Sequence, residues 1–292
     1  MLKRIISAFI MIISMVSLFS GCGRSEIKET TNSIMTATVA YAKNDCIDEE
    51  QSLFVNIDSS EAKKGFITVK YMVNKIEGIR IYVLYNYDKC TGYNIKDTTK
   101  DTRISLTNGN GTYYIEVVQN DGKTETLLAS KTIEVIFENE FTPFMCSNYS
   151  VNWEDTMNVV LDAKEETKNS KSYKESIEII KNFVITSLEY SVEEGKDYSK
   201  WSYFSDIDEV YNEKKGVCVD FATMFTAICR SQNIPCKLVT GYAGTTDEFH
   251  VWSEVYDGEQ WKVIDLTLED AKTIYSADMV ITPAYYETVT VD

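Results

Sequence analysis

Three side chains in the last third of the sequence could together carry out nucleophilic acyl chemistry: Cys218, His250 and Asp265. A cysteine attacks as its thiolate, so it needs a base to take its proton and surroundings that favour the anion. His250 is the single histidine of the 292 residues, and imidazole is the side chain suited to moving protons near neutral pH. An aspartate beside it would fix the tautomer and stabilise the imidazolium formed during reaction. Taken singly, a buried cysteine is commonly inert and a lone histidine commonly structural. The order and local context of the three favour chemistry.

The elements that must position them can be read from spacing. Phe221, Ala222, Met224, Phe225, Ala227, Ile228 and Cys229 are apolar nearly all round, which predicts a helix buried in a domain core. It should stop near Asn233-Ile234-Pro235, because the residue before a proline resists the helical conformation. Cys218 then sits at the helix N-terminus, just after Gly216, a glycine expected to give the turn its freedom. The helix dipole and the unpaired N–H groups there favour a thiolate and can form one arm of an oxyanion hole. Cys229 and Cys236 read as inert core thiols, although a bridge between them stays open. The dipeptide Asp257-Gly258 between two alternating runs predicts a two-residue type I′ hairpin. Tyr256 would then face Glu259, and His250 would lie directly opposite Asp265, with Trp252 opposite Val263 and Glu254 opposite Trp261 on the same face.

Upstream, Tyr173, Ile177, Ile180, Phe183, Val184 and Leu188 follow helical spacing behind Ser170 or Ser172 as a cap. A weaker helix is expected around 156–166. Tyr190 ends this lead-in, and an acidic, tyrosine-rich loop should run to Tyr211. Before it lies a region of period-two alternation. Ile67, Val69, Tyr71 and Val73 share one strand face, and Ile79, Ile81, Val83, Tyr85 and Tyr87 another. Tyr113, Ile115 and Val117 repeat the pattern, as do Ile133, Val135 and Phe137. Turn signals at Asn108-Gly109-Asn110-Gly111 and Asn120-Asp121-Gly122 separate them. The tyrosines sit at strand periodicity, so core and sheet surface are favoured over carbohydrate binding. The expected class is α+β: an immunoglobulin-like β-sandwich over 51–145, then a mixed domain over 146–292 that holds the three chemical residues.

The start of the chain has its own chemistry. Lys3 and Arg4 precede an uncharged run from Ile5 to Phe19, too short for a membrane span of ~20 residues and suited to an export signal over 1–21. Leu18-Phe19-Ser20-Gly21-Cys22 resembles a bacterial lipobox, which implies acylation of Cys22, anchorage on the outer face of the membrane, and a polar tether over 22–50. A net charge of −16 argues against nucleic-acid partners. One histidine and scattered cysteines offer no metal-ligand spacing, and no cofactor is expected.

The stretches Gly216-Val217-Cys218-Val219-Asp220-Phe221-Ala222, Asn233-Ile234-Pro235, Val239-Thr240-Gly241-Tyr242, His250-Val251-Trp252-Ser253-Glu254-Val255 and Trp261-Lys262-Val263-Ile264-Asp265-Leu266-Thr267 together resemble the transglutaminase-like superfamily over roughly 148–270. Leu266 stands where that family often has proline. The resemblance implies a papain-like core in which Cys218 is the nucleophile, His250 the general base and acid, and Asp265 its orienting partner. Tyr190, aligned with an aromatic ahead of the site, would support the oxyanion. The implied reaction is acyl transfer from a protein or cell-wall peptide amide, to water in a peptidase or to an amine in a transglutaminase. The rival class is a non-catalytic surface scaffold that keeps the fold alone.

Overall fold

The computed structural model describes residues 49–50, 53–191, 205–243, 249–267 and 286–292. The export signal, Cys22, most of the tether, and 192–204 of the acidic loop lie outside them.

The N-terminal part is a two-sheet sandwich. Strands β1 (Glu49–Glu50), β4 (Ile79–Tyr85), β5 (Lys89–Ile95), β7 (Gly111–Asn120) and β8 (Glu125–Val135) form an antiparallel sheet in the order β1-β8-β7-β4-β5. Strands β2 (Val55–Asp58), β3 (Phe66–Tyr71) and β6 (Thr102–Ser105) form the second, in the order β2-β3-β6. Alternate residues of both sheets, among them Ile67, Val69 and Ile104 from one and Ile81, Ile115 and Val117 from the other, fill one shared core. The chain changes sheet before β2, before β4, before β6 and before β7, a crossing pattern of immunoglobulin-like sandwiches. At the start of β7 the buried Tyr113 hydroxyl donates to the Gly109 carbonyl at 2.8 Å and accepts from Asn108 N–H. This is a tyrosine corner, which ties the loop between sheets to the strand it feeds. Tyr113 is buried in the shared core, in keeping with its strand periodicity, as is Tyr93, while Tyr114 is buried on the other face beside Leu84 and Cys90.

Three strand readings need correcting, the first being Phe137, which lies beyond the end of β8. Val73 lies beyond the end of β3 and is exposed. Tyr87 is not in β4: Asn86 and Tyr87 both have positive φ and turn the chain into β5.

The C-terminal part has a helical layer against an antiparallel sheet of its own. Helix α1 is Asn158–Thr167, and α2 is Tyr173–Ser187, capped by Ser172, whose side chain accepts from Glu175 N–H. The stretch expected to continue as loop to Tyr211 instead holds helix α3 (Ile207–Glu213), because Asp206 accepts from the N–H groups of Asp208 and Glu209 and caps it. Helix α4 (Cys218–Ser231) is central, with 13 of its 14 residues buried. Strands β11 (Cys236–Ala243), β12 (Phe249–Tyr256), β13 (Trp261–Ile264) and β14 (Tyr286–Val291) form a sheet in the order β13-β12-β11-β14. Val251, Val255, Leu238 and Ile264 pack with the apolar residues of α4 in a single core. The α4 end follows the expected stop: Asn233 takes a left-handed conformation and Ile234 N–H reaches back to the Cys229 carbonyl at 3.0 Å, a Schellman-type closure ahead of Pro235.

The two cores are joined by polar contacts around Arg230, which is 1% exposed. Its guanidinium donates to the Cys236 carbonyl (2.8 Å), the Cys146 carbonyl (3.1 Å) and the Asp292 carbonyl (2.6 Å). The Asp292 carboxylate in turn accepts from the Tyr93 hydroxyl of the sandwich at 2.7 Å. Burial leaves such groups no water to fall back on. Replacing Arg230 with Leu strands three buried carbonyl acceptors, and a loss of roughly 3–5 kcal/mol is expected from breaking a buried charged network on one side. Tyr93→Phe should cost less, about 1–3 kcal/mol. Urea unfolding of the three proteins checks the order.

Candidate active site

The site is assembled where the N-terminus of α4 meets the start of β12 and the end of β13. Just before α4, the short strand β10 (Lys215–Gly216) pairs in parallel with β9 (Glu189–Tyr190), and Ser191 N–H donates to the Gly216 carbonyl at 2.9 Å. This pairing sets Tyr190 beside Gly216, two residues ahead of Cys218, with the Tyr190 ring 6.2 Å from that of Phe221.

The first turn of α4 is held by Asp220. One carboxylate oxygen accepts from Val217 N–H at 2.8 Å, and the other contacts the Ser205 hydroxyl. Asp220 stands three residues after the N-cap Val217, where a side chain can reach back to satisfy an N–H that the helix leaves open. Gly216 has a different role from the turn freedom expected of it. Its φ is not in the left-handed region; what it provides is space. A Cβ at 216 would stand 2.8 Å from the Asp220 Cβ. The sequence carried a signal for this, an acidic residue at the third helical position, but it went unread.

Cys218 is 1% exposed at the head of the helix. The first N–H groups of any helix, including that of its opening residue, have no partner inside the helix. His250 pairs across β12 with Gly241 of β11. Its Nε2 lies 2.7 Å from Asp265 Oδ2, and the imidazole also engages the Cys218 side chain. With Nε2 turned to the carboxylate, Nδ1 is the nitrogen left for the thiol. Asp265 is nearly buried, with a side chain 5% exposed. Its other oxygen accepts from the Thr267 hydroxyl at 2.9 Å. The structure therefore brings the cysteine, histidine and aspartate together, and sets Tyr190 at their edge.

The hairpin that carries two of them has a different register from the one expected. Tyr256 pairs with Trp261, Glu254 with Val263 and Ser253 with Ile264, so Tyr256 does not face Glu259, and neither Trp252–Val263 nor Glu254–Trp261 is a pair. The cause is Asp257. Its carboxylate accepts from both Glu259 and Gln260 N–H at 2.9 Å, while its own N–H donates to the Gln260 carbonyl. Asp257 thus opens the turn instead of sitting inside it, and the turn centres on Gly258-Glu259, with Gly258 at φ +97°. The slip is two residues, so faces are conserved. Asp265 becomes a diagonal neighbour of His250 instead of a direct one, still within side-chain reach.

Burial alone would lower the His250 pKa. The hydrogen bond to Asp265, then that to Cys218, and the charges of both outweigh it and raise the value from 6.5 to about 10. Elsewhere on α4, burial and then contact with Cys236 push the Cys229 thiol well above its usual range. Both are free thiols, as are Cys146 and Cys218. Among the described residues no cluster of three or more metal-ligating side chains occurs, and no helix is long and apolar enough to cross a membrane.

Residues 162–266 match the family model of the transglutaminase-like superfamily. No curated protein matches the chain. Among solved structures, a candidate cysteine protease from Cytophaga hutchinsonii is 15% identical, with a TM-score of 0.39, over 78% of this chain and 86% of that one. A TGase is 17% identical, with a TM-score of 0.33, over 60% and 47%. Red sea bream transglutaminase is 13% identical, with a TM-score of 0.30, over 69% and 48%. The chain spans about half the length of these last two.

Two outcomes are expected. The folded-state pKa of His250 lies above its free value, so the interaction stabilises the fold fully below pH 6.5 and fades as pH rises toward 10. With one histidine in the chain, a single imidazole resonance should titrate far above 6.5 by NMR, and Asp265→Asn should bring it down. Gly216→Ala should displace the Asp220 side chain, lower stability by about 1–3 kcal/mol as overpacking does, and reduce alkylation of Cys218 by altering the helix start. A Gly216→Ala protein with unchanged melting and unchanged alkylation would contradict the spatial account.

Proposed function

We propose that this chain, whose residues 162–266 match the family model of the transglutaminase-like superfamily, is an exported, lipid-anchored enzyme that transfers acyl groups from protein or cell-wall peptide amides through a thiol. The observation that carries this reading is the line from Asp265 through His250 to Cys218, with the carboxylate 2.7 Å from Nε2 and the thiol at a helix N-terminus. A scaffold would have no use for a nearly buried carboxylate aimed at a buried imidazole beside a thiol.

In the proposed reaction the Cys218 proton already rests on the imidazole, whose raised pKa favours the charged ring, and the thiolate beside His250 Nδ1 attacks the amide carbon. The carbonyl oxygen becomes an oxyanion, met by the N–H at the head of α4 and by the Tyr190 hydroxyl. The imidazolium, steadied by Asp265, gives its proton to the amide nitrogen. The C–N bond breaks, an amine departs, and a thioester on Cys218 remains. Water or a second amine then attacks the thioester, His250 takes the proton of that nucleophile, and the restored thiolate leaves. The acceptor decides between a peptidase and a transglutaminase, with identical residues in both. Asp265 accepts a hydrogen bond throughout and never takes the proton.

The basic, apolar and small-residue sequence that ends at Cys22 supports placement on the outer face of the membrane. There the amides within reach are those of surface proteins and wall peptides.

Mass spectrometry of wall peptides and surface proteins incubated with wild type and with Cys218→Ala tests the reading. New termini or new isopeptide links should form with the wild type alone; identical spectra would sink it. Tyr190→Phe should slow turnover by ~10²–10³, as loss of an oxyanion donor does. Cys22→Ser should release the protein from the membrane fraction.

A further inference from the structure

We infer that Thr267 is a positioning residue of this site: its hydroxyl holds the Asp265 carboxylate in the orientation that serves His250. The inference rests on the acyl-transfer reading above and extends it by one residue that the reaction itself does not touch.

The argument is geometric. A carboxylate can rotate about its bond to Cβ, and this torsion is broad. With one oxygen on His250 Nε2, rotation would still carry the acceptor out of the imidazole plane. In this structure the second oxygen is held as well. Thr267 Oγ1 donates to Asp265 Oδ1 at 2.9 Å while Oδ2 meets His250 Nε2 at 2.7 Å. Two donors on two oxygens define the carboxylate plane. The chain turns helical at Leu266 and Thr267, directly after β13, which brings a side chain two positions on back over the aspartate. Threonine suits the position because its β-branched side chain has few rotamers, so the hydroxyl stays where it is needed. The titratable groups that act on the imidazole are Asp265, from the segment after β13, and Cys218, from the head of α4. Thr267 acts on the first of these and adds no charge of its own.

A positioning role differs from an electronic one in sign. If the hydroxyl only drew charge from the carboxylate, its removal would make Asp265 a stronger partner and raise the His250 midpoint. If it holds the carboxylate in place, removal lets Oδ2 swing away, weakens the bond to Nε2 and lowers the midpoint.

The test uses the full chain, labelled with 15N at its one histidine, as wild type, Thr267→Val and Thr267→Ser. Thr267→Val should lower the His250 midpoint by roughly one pH unit, the scale of one hydrogen bond to a charged group, and weaken the low-field Nε2–H proton signal. Thr267→Ser should restore both. Turnover, where it is measured, should fall about tenfold in kcat for Thr267→Val, with KM little changed. An unchanged or raised midpoint in folded Thr267→Val overturns the inference, even if kcat falls. If Thr267→Val does not fold, Thr267→Ala is read in the same way. The NMR readout needs no substrate, so the two failures are distinct. A wild type without acyl transfer but with a shifted midpoint in Thr267→Val defeats the enzyme reading alone. Turnover with an unshifted midpoint defeats the positioning role alone.

Discussion

The hydrogen bond between His250 and Asp265 is the constraint to which the C-terminal domain is fitted. A buried imidazole is pushed toward its neutral form unless an anion stands against it. Here the carboxylate and the thiol outweigh the effect of burial and favour the charged ring. That arrangement is costly unless each charge is hydrogen-bonded as well as paired. The structure meets the demand from three elements: β12 supplies the ring, the end of β13 the carboxylate, and the head of α4 the thiol. None of the three could move by a residue without leaving a charge stranded in the core.

Helix α4 links this demand to the rest of the molecule. Its N-terminus is fixed by Asp220, which holds Val217 N–H and contacts Ser205, and by Gly216, which leaves room for that carboxylate. Its C-terminus is fixed by the left-handed Asn233 and by Arg230. Through Arg230 the helix reaches Cys146 and Asp292, and through Asp292 the Tyr93 hydroxyl of the sandwich. The sandwich therefore bears on the helix that carries the nucleophile at the end away from the nucleophile. A 14-residue helix rises about 20 Å, so the two polar networks at its ends act on different things, one on the chemistry and the other on the stability of the joined cores.

Much of the site could be read in the sequence, because its signals were strong and local. The apolar run after Asp220 announced a buried helix, and the alternation on either side of Asp257-Gly258 announced a hairpin. The hairpin also shows how a wrong register can give a right contact. The expected pairing was two residues out, yet a slip of two returns every side chain to its own face, so His250 and Asp265 still met. An odd slip would have sent them to opposite faces. What misled was Asp257, whose side chain takes two backbone N–H groups and moves the turn on by one residue. A side chain competing for backbone groups is invisible to a rule based on a dipeptide. The same blindness hid α3, capped by Asp206, and the span of β5, whose Lys89-Cys90-Thr91-Gly92 opening has little strand character and whose preceding turn uses Asn86 and Tyr87 without a glycine. Arg230 was hidden for a different reason. One cation in an apolar helix reads as a solvated edge until the nearby Cys236 carbonyl and the distant Cys146 and Asp292 carbonyls are seen to converge on it.

The division of labour within the site follows from what each residue must do at each stage. In the proposed reaction His250 would lose and regain a proton, so its surroundings must tolerate both states, and the fixed feature they would share is the carboxylate orientation. Asp265 is held on both oxygens, by the ring on one and by Thr267 on the other. Holding the acceptor on both oxygens would keep one partner in place for the imidazole in both protonation states. A site rigid at the carboxylate can serve both halves of an acyl transfer with one base. The identity of the acceptor in the second half is then a matter of what reaches the thioester, and the residues of the relay need not differ between water and an amine.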